Sequence, residues 1–364
     1  MNRDPKQYAR IRRRLWFLNL FFTAAPLAVF IGAGGARGLA ARVTAITPAW
    51  PLQTALYAGA VWFPLQLLLF PLAFWGGHVV EHRFGLSTQP LGSWLKDYAK
   101  GLAIGTGMGG VVLEGLEGLL RFSPGRWWFW AAIAWVGWSA LLTRVFPTLL
   151  LPLFYRQSPL KDRPLEERLR QLVARCGAQV SGIFEVNLSR TTRKANAMLC
   201  GLGRSRRVLV SDTLLSAHPP EEVEVVLAHE LGHHHLRHLG ILLLASGAAT
   251  AVGCFSVDRA ARIWAGRLGV ASVSDLAALP FIALGLIAVD LALLPVMNGL
   301  SRILEAQADR YALRVTGNAR AFASMMRRLA QRNLAELSPP RWVEWLLYDH
   351  PPIAKRIALA EQRG

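Results

Sequence analysis

Two histidines four residues apart give the clearest chemical signal in the sequence. His229 and His233 flank Glu230 in the pattern HExxH. On a helix, residues i and i+4 share a face, so both imidazoles can bind one zinc ion, and the glutamate can reach a zinc-bound water as general base. The pattern is short enough to occur by chance. The competing interpretation is therefore an amphipathic helix with a histidine-rich polar end.

A third ligand would distinguish these interpretations. In the metzincin pattern a glycine and a third histidine follow at fixed spacing, but Leu236 and Leu239 hold those positions here, which excludes that class. Further along, Glu305 and Asp309 lie four residues apart in a stretch, 296–315, that contains no proline. A helix there would place both carboxylates on one face.

Two interpretations of this carboxylate pair are open. Glu305 can complete a His-His-Glu site and leave the fourth position to water. Asp309 can accept the outer N–H of a ligating histidine and so fix its tautomer. Alternatively, both acids belong to an exposed face that is ion-paired with Arg302 and Arg310. The HExxH pattern on the same predicted side of the membrane favours the metal site.

The composition indicates that a membrane protein carries these residues. Of the 364 residues 53% are hydrophobic, only 18% are charged and 13 are Trp. A soluble globular chain carries about 25% charged residues. The three cysteines contain no CxxC pair, which predicts neither a disulfide framework nor a sulfur-based metal site. The sequence therefore predicts an all-α polytopic membrane protein.

Six apolar stretches are long enough for spanning helices, which need about 20 residues. They are residues 15–36, 53–77, 101–120, 127–155, 239–257 and 276–300. The fourth stretch contains Pro147 and Pro152 and is long enough to bend or to split, so we expect six or seven spans.

The basic residues predict the orientation of these spans. The net charge is +18, and 33 of the 41 Lys and Arg residues fall in the N-terminus and in residues 78–100, 156–238 and 299–364. The positive-inside rule therefore places both termini and the long middle segment in the cytoplasm. This distribution suits an anionic lipid surface. No nucleic-acid-binding motif accompanies it, so we expect membrane lipid and no nucleic acid as partners.

Four ionisable residues, Glu114, Glu117, Arg144 and Asp290, interrupt the apolar stretches. Charge at membrane depth is costly, so such residues normally face a bundle interior or a water-filled cavity. One interpretation is a polar chamber inside the bundle. The other is that Glu114 and Glu117 reach the interface from the end of the third span.

Residues 156–238 are predicted to form a polar insert with a small β-element. An amphipathic helix is predicted at 164–176, β-like runs at 184–188 and 207–210, and a turn at 201–203. Pro219 and Pro220 followed by two glutamates begin the helix that continues into HExxH. The run 207–211 is expected to be an edge strand that aligns an extended peptide by main-chain pairing.

Further motifs follow in order between residues 81 and 357. They are EHRFGLS at 81–87, WLKD at 94–97, Ser189-Arg190, Asn196-Ala197, GLG at 201–203, VLVSDTLL at 208–215, EAQAD at 305–309 and HPPIAKR at 350–356. With HExxH, this set resembles the integral-membrane CAAX prenyl proteases of type I, which are zinc endopeptidases that trim prenylated proteins. The resemblance implies a helical barrel around a water-filled chamber, capped by the zinc domain, with seven spans usual in the family.

The resemblance also assigns the metal chemistry. It implies that His229, His233 and Glu305 bind one Zn²⁺ per chain and that Glu230 activates the water.

Three further residues gain roles only through the resemblance. It places Asn196 against the substrate backbone or the developing oxyanion, and His350 and Arg356 near the cleavage site. A donor such as His350 would stabilise the oxyanion. By residue type alone, Asn196 fits a turn, His350 fits the start of a Pro351-Pro352 break, and Arg356 fits a contact with lipid phosphates.

We therefore expect a zinc-dependent integral-membrane endopeptidase that acts on a peptide or protein, prenylated or unmodified. Residues 1–155 form the N-terminal transmembrane region with four spans, and 156–364 form the zinc metalloprotease region with two more. The Arg- and Ala-rich composition is typical of a bacterial inner-membrane protein. The alternatives are a quality-control protease for damaged membrane proteins and a non-enzymatic scaffold or transporter with a structural zinc. Structural zinc sites usually have four ligands, often cysteines, which disfavours the last.

Overall fold

The computed structural model describes residues 4–201, 206–270 and 272–362. Over these ranges the chain is mostly helical and carries one small sheet. The helices are α1 (Pro5–Gly32), α2 (Gly35–Ile46), α3 (Trp50–Phe74), α4 (Val80–Arg83), α5 (Leu91–Phe122), α6 (Trp127–Val145), α7 (Arg163–Arg175), α8 (Asp212–Leu215), α9 (Pro220–His235), α10 (His238–Leu268), α11 (Leu279–Thr316), α12 (Ala319–Asn333), α13 (Arg341–Leu347) and α14 (Ile353–Glu361). The strands are β1 (Gln157–Pro159), β2 (Gly182–Val186), β3 (Ala197–Cys200) and β4 (Arg207–Ser211).

Within the described residues, six helical segments are long and apolar enough to cross a membrane. They are Pro5–Gly32, Trp50–Arg83, Leu91–Phe122, Trp127–Leu153, His238–Arg267 and Leu276–Thr316. Each contains the greater part of one predicted stretch. The additional helix α2 has 12 residues, so it extends about 18 Å and cannot cross a hydrocarbon core of about 30 Å. The described residues therefore contain six candidate spans, the lower of the two numbers predicted.

The fourth span is irregular where its prolines lie. Helix α6 ends at Val145, and a π-helical turn (Phe146–Leu150) and a 3₁₀ turn (Leu151–Leu153) follow it. Pro147 has no N–H to donate within the π-helical turn, which explains why the regular helix stops there. The span therefore changes its helical type near its end and does not split into two.

The first four spans do not pack into a solid bundle. Only 6% to 11% of the residues in their most apolar windows are buried, against 33% for the sixth span. In a solid bundle each helix would bury one face against its neighbours. Among the predicted intramembrane charges, Glu117 is fully buried and accepts a 2.7 Å hydrogen bond from Arg121, whereas Asp290 is exposed. Such low burial is the packing expected of helices around a chamber.

The sheet has the strand order β1-β2-β4-β3. Strand β4 pairs in parallel with β2 and antiparallel with β3. The prediction that 207–211 form an edge strand is therefore wrong, because β4 is paired on both sides and β3 is the open edge beside it. The sequence analysis missed β1 and β3 because strands of three and four residues are too short for a periodic signal. Leu202 and Gly203 of the predicted turn lie outside the described residues.

Helices α9 and α11 cross at the centre of the region that carries HExxH. Gly232 allows their close approach, since a Cβ atom at this position would lie 3.2 Å from the Cα of Ala308 and 3.2 Å from the Cβ of Tyr311. Buried leucines and valines of α7, β4 and α9 pack around this crossing, together with Phe322 of α12. The HExxH helix and the carboxylate-bearing helix are thus fixed against each other.

The sixth span and the carboxylate helix are one continuous element. Helix α11 has 38 residues and unites the predicted stretch 276–300 with the predicted helix 296–315. Glu305 and Asp309 therefore lie on an extension of a membrane helix beyond its apolar segment.

We expect the substitution Gly232→Ala to lower the midpoint of thermal unfolding in detergent. The added methyl group would force α9 and α11 apart, and overpacking of this kind costs about 1–3 kcal/mol. Gly240→Ala is the matched control, since a Cβ atom there meets nothing within 4 Å, and alanine favours the helix. Equal midpoints for the two variants would contradict the close helix crossing.

Candidate metal centre and active site

Helix α9 brings the two histidines of HExxH onto one face. Pro220 occupies its first turn and Glu221 and Glu222 lie at its positive end, both of which favour helix initiation here. One helical turn separates the histidines, and the Nε2 atoms of His229 and His233 lie 3.2 Å apart. Both ring nitrogens therefore point towards the same place.

Glu305 on α11 faces this pair of nitrogens. Its Oε2 lies 3.3 Å from Nε2 of His229, and its Oε1 lies 3.2 Å from Nε2 of His233. The alternative pairing with Arg302 and Arg310 is not observed. Arg302 donates to backbone carbonyls of residues 344–348, and Arg310 is exposed.

These three ligands fit a small divalent cation. Zinc binds nitrogen and oxygen at about 2.0–2.1 Å, so neighbouring ligand atoms of a tetrahedral site lie about 3.3 Å apart. The two imidazole nitrogens are 3.2 Å apart, and each lies 3.2–3.3 Å from one oxygen of Glu305. Oε2 of Glu305 is buried and makes no hydrogen bond to any described residue. A cation between the three side chains would satisfy this oxygen.

The electrostatics of the cluster favour positive charge at its centre. Burial lowers the pKa of His229, but the carboxylates of Asp309 and Glu305 outweigh burial and raise it to about 9. Burial raises the pKa of Glu305, but the imidazoles of His229 and His233 beside its two oxygens outweigh burial and hold the pKa well below its ordinary value. Both shifts indicate a site that stabilises a cation against an ionised carboxylate.

Asp309 and Arg356 lie behind His229. Oδ1 of Asp309 is 3.0 Å from Nδ1 of His229, the position predicted for a residue that fixes the tautomer of a ligand. Nε of Arg356 donates to Oδ2 of Asp309 over 2.7 Å, and a second guanidinium nitrogen donates to Oδ1. Both side chains are buried. Arg356 thus lies buried behind His229, which argues against the alternative contact with lipid. Its place near the cleavage site, which the resemblance implies, stays a prediction.

Glu230 faces the open edge of the sheet. The backbone N–H of Leu199 in β3 donates to its Oε2 over 3.4 Å. Asn196 directly precedes β3, and its backbone exchanges hydrogen bonds with Ser211 while its side chain is exposed. Glu230 and the backbone of Asn196 therefore lie along the same edge strand, β3.

His350 approaches the metal ligands from the C-terminal segment. Its Nε2 lies 3.4 Å from Oε1 of Glu305, and its Nδ1 lies 2.8 Å from Oδ1 of Asp349. The hydrogen bond to Asp349 raises the pKa of His350 against the effect of burial. The ring is half exposed, so it can meet both the ligand shell and an incoming substrate. His350 therefore contacts the cluster directly, in addition to preceding the Pro351-Pro352 break.

Helix α11 also positions the segment that carries His350. Its Arg302 donates to the carbonyls of Glu344 and Tyr348, at the C-terminal end of α13, and Asn298 donates to the carbonyl of Leu346 over 2.7 Å. These bonds satisfy carbonyls left free at a helix end. One helix thus orients both Glu305 and His350.

Two further side chains contact this cluster, and the sequence analysis missed both. His238 lies with Nδ1 3.0 Å from Nδ1 of His233 and with Nε2 3.1 Å from Oε1 of Gln307. Helical periodicity does not predict a contact of His238 with His233, because α9 ends at His235 and Arg237 adopts a left-handed conformation with φ of 57°. The presence of Gln307 between Glu305 and Asp309 was the only signal available in the sequence.

We expect Arg356→Leu to destabilise the protein strongly. The substitution would leave Asp309 buried without its cationic partner, and breaking a buried ion pair on one side costs about 3–5 kcal/mol. Thermal unfolding in detergent measures the loss, with Arg310→Leu, an exposed arginine of the same helix as Asp309, as the control. Similar midpoints for the two variants would show that the Asp309–Arg356 pair does not support the site.

Comparison with known protein families covers almost the whole chain. Residues 159–363 match peptidase family M48, and residues 3–156 match the family described as CAAX prenyl protease N-terminal, five membrane helices. In the described part of this second region the chain has four spans together with the short α2.

Individual proteins show similarity of the same extent. The chain is 27% identical to the uncharacterized metalloprotease YhfN of Bacillus subtilis over 98% of its own length and 84% of that protein. It is 25% identical to CAAX prenyl protease 1 of Saccharomyces cerevisiae over 84% of its length and 71% of that protein. The crystal structure of S. mikatae Ste24p has the same fold, with a TM-score of 0.87 at 22% identity over 98% of this chain and 88% of that one.

These matches confirm the resemblance based on the sequence motifs, and they disfavour a scaffold or transporter. The chain therefore belongs to peptidase family M48, and it is an integral-membrane metalloendopeptidase related to the CAAX prenyl proteases.

Proposed function

We propose that this protein hydrolyses peptide bonds at one zinc ion held by His229, His233 and Glu305. The observation that carries the proposal is the convergence of three side chains: the Nε2 atoms of His229 and His233 lie 3.2 Å apart, and each lies 3.2–3.3 Å from one carboxylate oxygen of Glu305. A bound zinc ion supplies Lewis acidity toward a carbonyl and lowers the pKa of water. The family match supports a metal, and the nitrogen and oxygen ligand set supports zinc.

The residues of the chain have separate tasks in this mechanism. Glu230 takes a proton from the attacking water and passes it to the leaving amine, since a carboxylate next to the first ligand can serve as base and then as acid. The imidazole of His350, oriented by Asp349, donates to the oxyanion that develops on the scissile carbonyl. Asp309 keeps Nδ1 of His229 protonated, so that its Nε2 is free to bind the metal.

Strand β3 is the proposed binding edge for the substrate backbone. Its partner β4 occupies one side, and the N–H of Leu199 points away from β4 towards Glu230. An extended peptide added to this edge would gain main-chain hydrogen bonds and would bring a scissile bond to the base. The exposed amide of Asn196 lies at the start of the same edge and would contact the peptide backbone.

We propose substrates that reach the site from the membrane. The low burial of the first four spans supports access through a space between the helices. A farnesylated peptide ending in a CAAX sequence is the first candidate, because yeast and plant relatives carry the name CAAX prenyl protease. An unmodified, unfolded membrane protein is the second candidate, because most bacteria lack protein prenylation.

We expect Glu230→Gln to bind one zinc per chain but to lose activity by a factor of about 10²–10⁴, the usual contribution of a positioned acid–base group. Zinc content and cleavage would be measured on detergent-purified wild type and variant with both candidate substrates. Removal of the metal with a chelator should abolish wild-type cleavage, and added zinc should restore it. If the variant binds zinc and cleaves at the wild-type rate, Glu230 is not the base.

We further propose that the zinc site faces the cytoplasm of a bacterial cell. The N-terminus contacts the zinc-binding region directly. Arg13 pairs with Glu336 over 2.8 Å, and Lys194 donates to the hydroxyl of Tyr8 over 3.0 Å. Both therefore lie on one side of the membrane, and the six basic residues before the first span support the cytoplasmic side.

A C-terminal fusion tests this orientation. Fluorescent protein fused after the last residue should be bright in bacteria, and alkaline phosphatase fused at the same place should be inactive, because phosphatase folds only outside the cytoplasm. Active phosphatase would reverse the proposed orientation.

A further inference from the structure

His238 is the first residue of the fifth span and is almost fully buried beside the metal ligands. Its ring makes two contacts. Nδ1 lies 3.0 Å from Nδ1 of His233 on α9, and Nε2 lies 3.1 Å from Oε1 of Gln307 on α11. The chain Gln307–His238–His233 therefore connects the sixth span, the fifth span and the HExxH helix through side-chain hydrogen bonds.

The amide oxygen of Gln307 determines the direction of these hydrogen bonds. A carbonyl oxygen only accepts, so Nε2 of a neutral His238 must carry the hydrogen and its Nδ1 must present a lone pair. Among the described residues, the group that faces this lone pair is Nδ1 of His233 at 3.0 Å, which must therefore donate. A neutral imidazole with hydrogen on Nδ1 has its lone pair on Nε2. In His233 this Nε2 faces Glu305.

The opposite direction is incompatible with a metal ligand. If Gln307 presented its NH₂ group, His238 would accept at Nε2 and donate from Nδ1, and His233 would carry its hydrogen on Nε2. That hydrogen would point at Nε2 of His229 and at Glu305, where the metal is proposed to bind.

We propose that His238 and Gln307 are positioning residues that fix His233 in the tautomer able to bind zinc. This inference rests on the proposed metal site. It gives the two histidine ligands different supports, since His229 faces the ionised Asp309 and His233 faces a neutral imidazole. It also gives the fifth span a role at the metal site, because its first residue, His238, determines the tautomer of His233.

The backbone between α9 and α10 is shaped for this contact. Arg237 is one of two non-glycine residues with positive φ in the described ranges, and it separates the end of α9 from His238. A left-handed residue other than Gly, Asn or Asp is uncommon because its Cβ crowds the backbone. A continuous helix would place His238 on another face from His233, whereas this turn folds it back onto the ring.

Zinc affinity of the full-length protein in detergent, measured by competition with a chromophoric chelator, tests the proposal independently of activity. Loss of an outer-shell partner typically weakens metal binding about 10–100-fold. We expect His238→Phe to lose affinity by about this factor, and Gln307→Met, of nearly equal size, to lose about tenfold. Gln307→Glu should bind at least as tightly as wild type, because a carboxylate also only accepts.

His235→Phe is the matched control. His235 lies on α9 with His229 and His233, and it contacts the ring of Tyr311 rather than the metal ligands. The zinc affinity of the His235→Phe variant should therefore equal that of wild type. Thermal unfolding of each variant without metal checks that the fold persists. A folded Gln307→Met variant with wild-type zinc affinity would overturn the proposed role of the chain Gln307–His238–His233.

The same experiment separates this proposal from that of the metal site. If His233→Ala loses zinc while His238→Phe and Gln307→Met bind zinc as tightly as wild type, only the positioning role of His238 and Gln307 is wrong. If wild type binds no zinc, or if His233→Ala binds it as tightly as wild type, the proposed metal site is wrong as well.

Discussion

The close crossing of α9 and α11 is the constraint on which the active site depends. The absence of a side chain at Gly232 lets the backbones meet at Ala308 and Tyr311. The two histidines come from one helix and Glu305 comes from the other, so the spacing of the three ligand atoms is a direct consequence of this packing. A larger interaxial distance would separate the carboxylate from the imidazoles.

The crossing also explains how so many ionisable groups share a buried volume. An isolated charge in a protein interior is costly, so buried charges are paired and hydrogen-bonded. Here Arg356 binds Asp309 in a bidentate arrangement, Asp309 faces His229, and Glu305 faces both histidines. The arginine neutralises the outer carboxylate and leaves the inner one for a cation. This division of charge gives Arg356 a structural reason to be buried away from the substrate edge.

Membrane helices form part of the catalytic region itself. The sixth span continues without interruption into the segment that carries Glu305 and Asp309, and its Asn298 and Arg302 hold the carbonyls that precede His350. The fifth span begins with the histidine that contacts His233. The most apolar windows of the first four spans contain few buried residues. The largest buried cluster lies where α9 and α11 meet the sheet, while α6 of the fourth span packs closely against α10.

The sequence by itself determined the features that depend on local pattern. Hydropathy over about 20 residues identified the six spans, because a helix must be that long to cross a bilayer. The spacing of His229 and His233, and of Glu305 and Asp309, identified the candidate ligands, because helical periodicity is the same in every protein. The ordered motifs identified the family.

Tertiary structure alone decided which groups meet across elements. It placed Arg356 against Asp309, 47 positions away in the chain, and it made β3 rather than β4 the open edge of the sheet. It also brought His238 back to His233 through a left-handed residue that helical periodicity does not anticipate. These contacts arise from packing between distant segments and from one unusual backbone conformation, and neither leaves a periodic trace in the sequence.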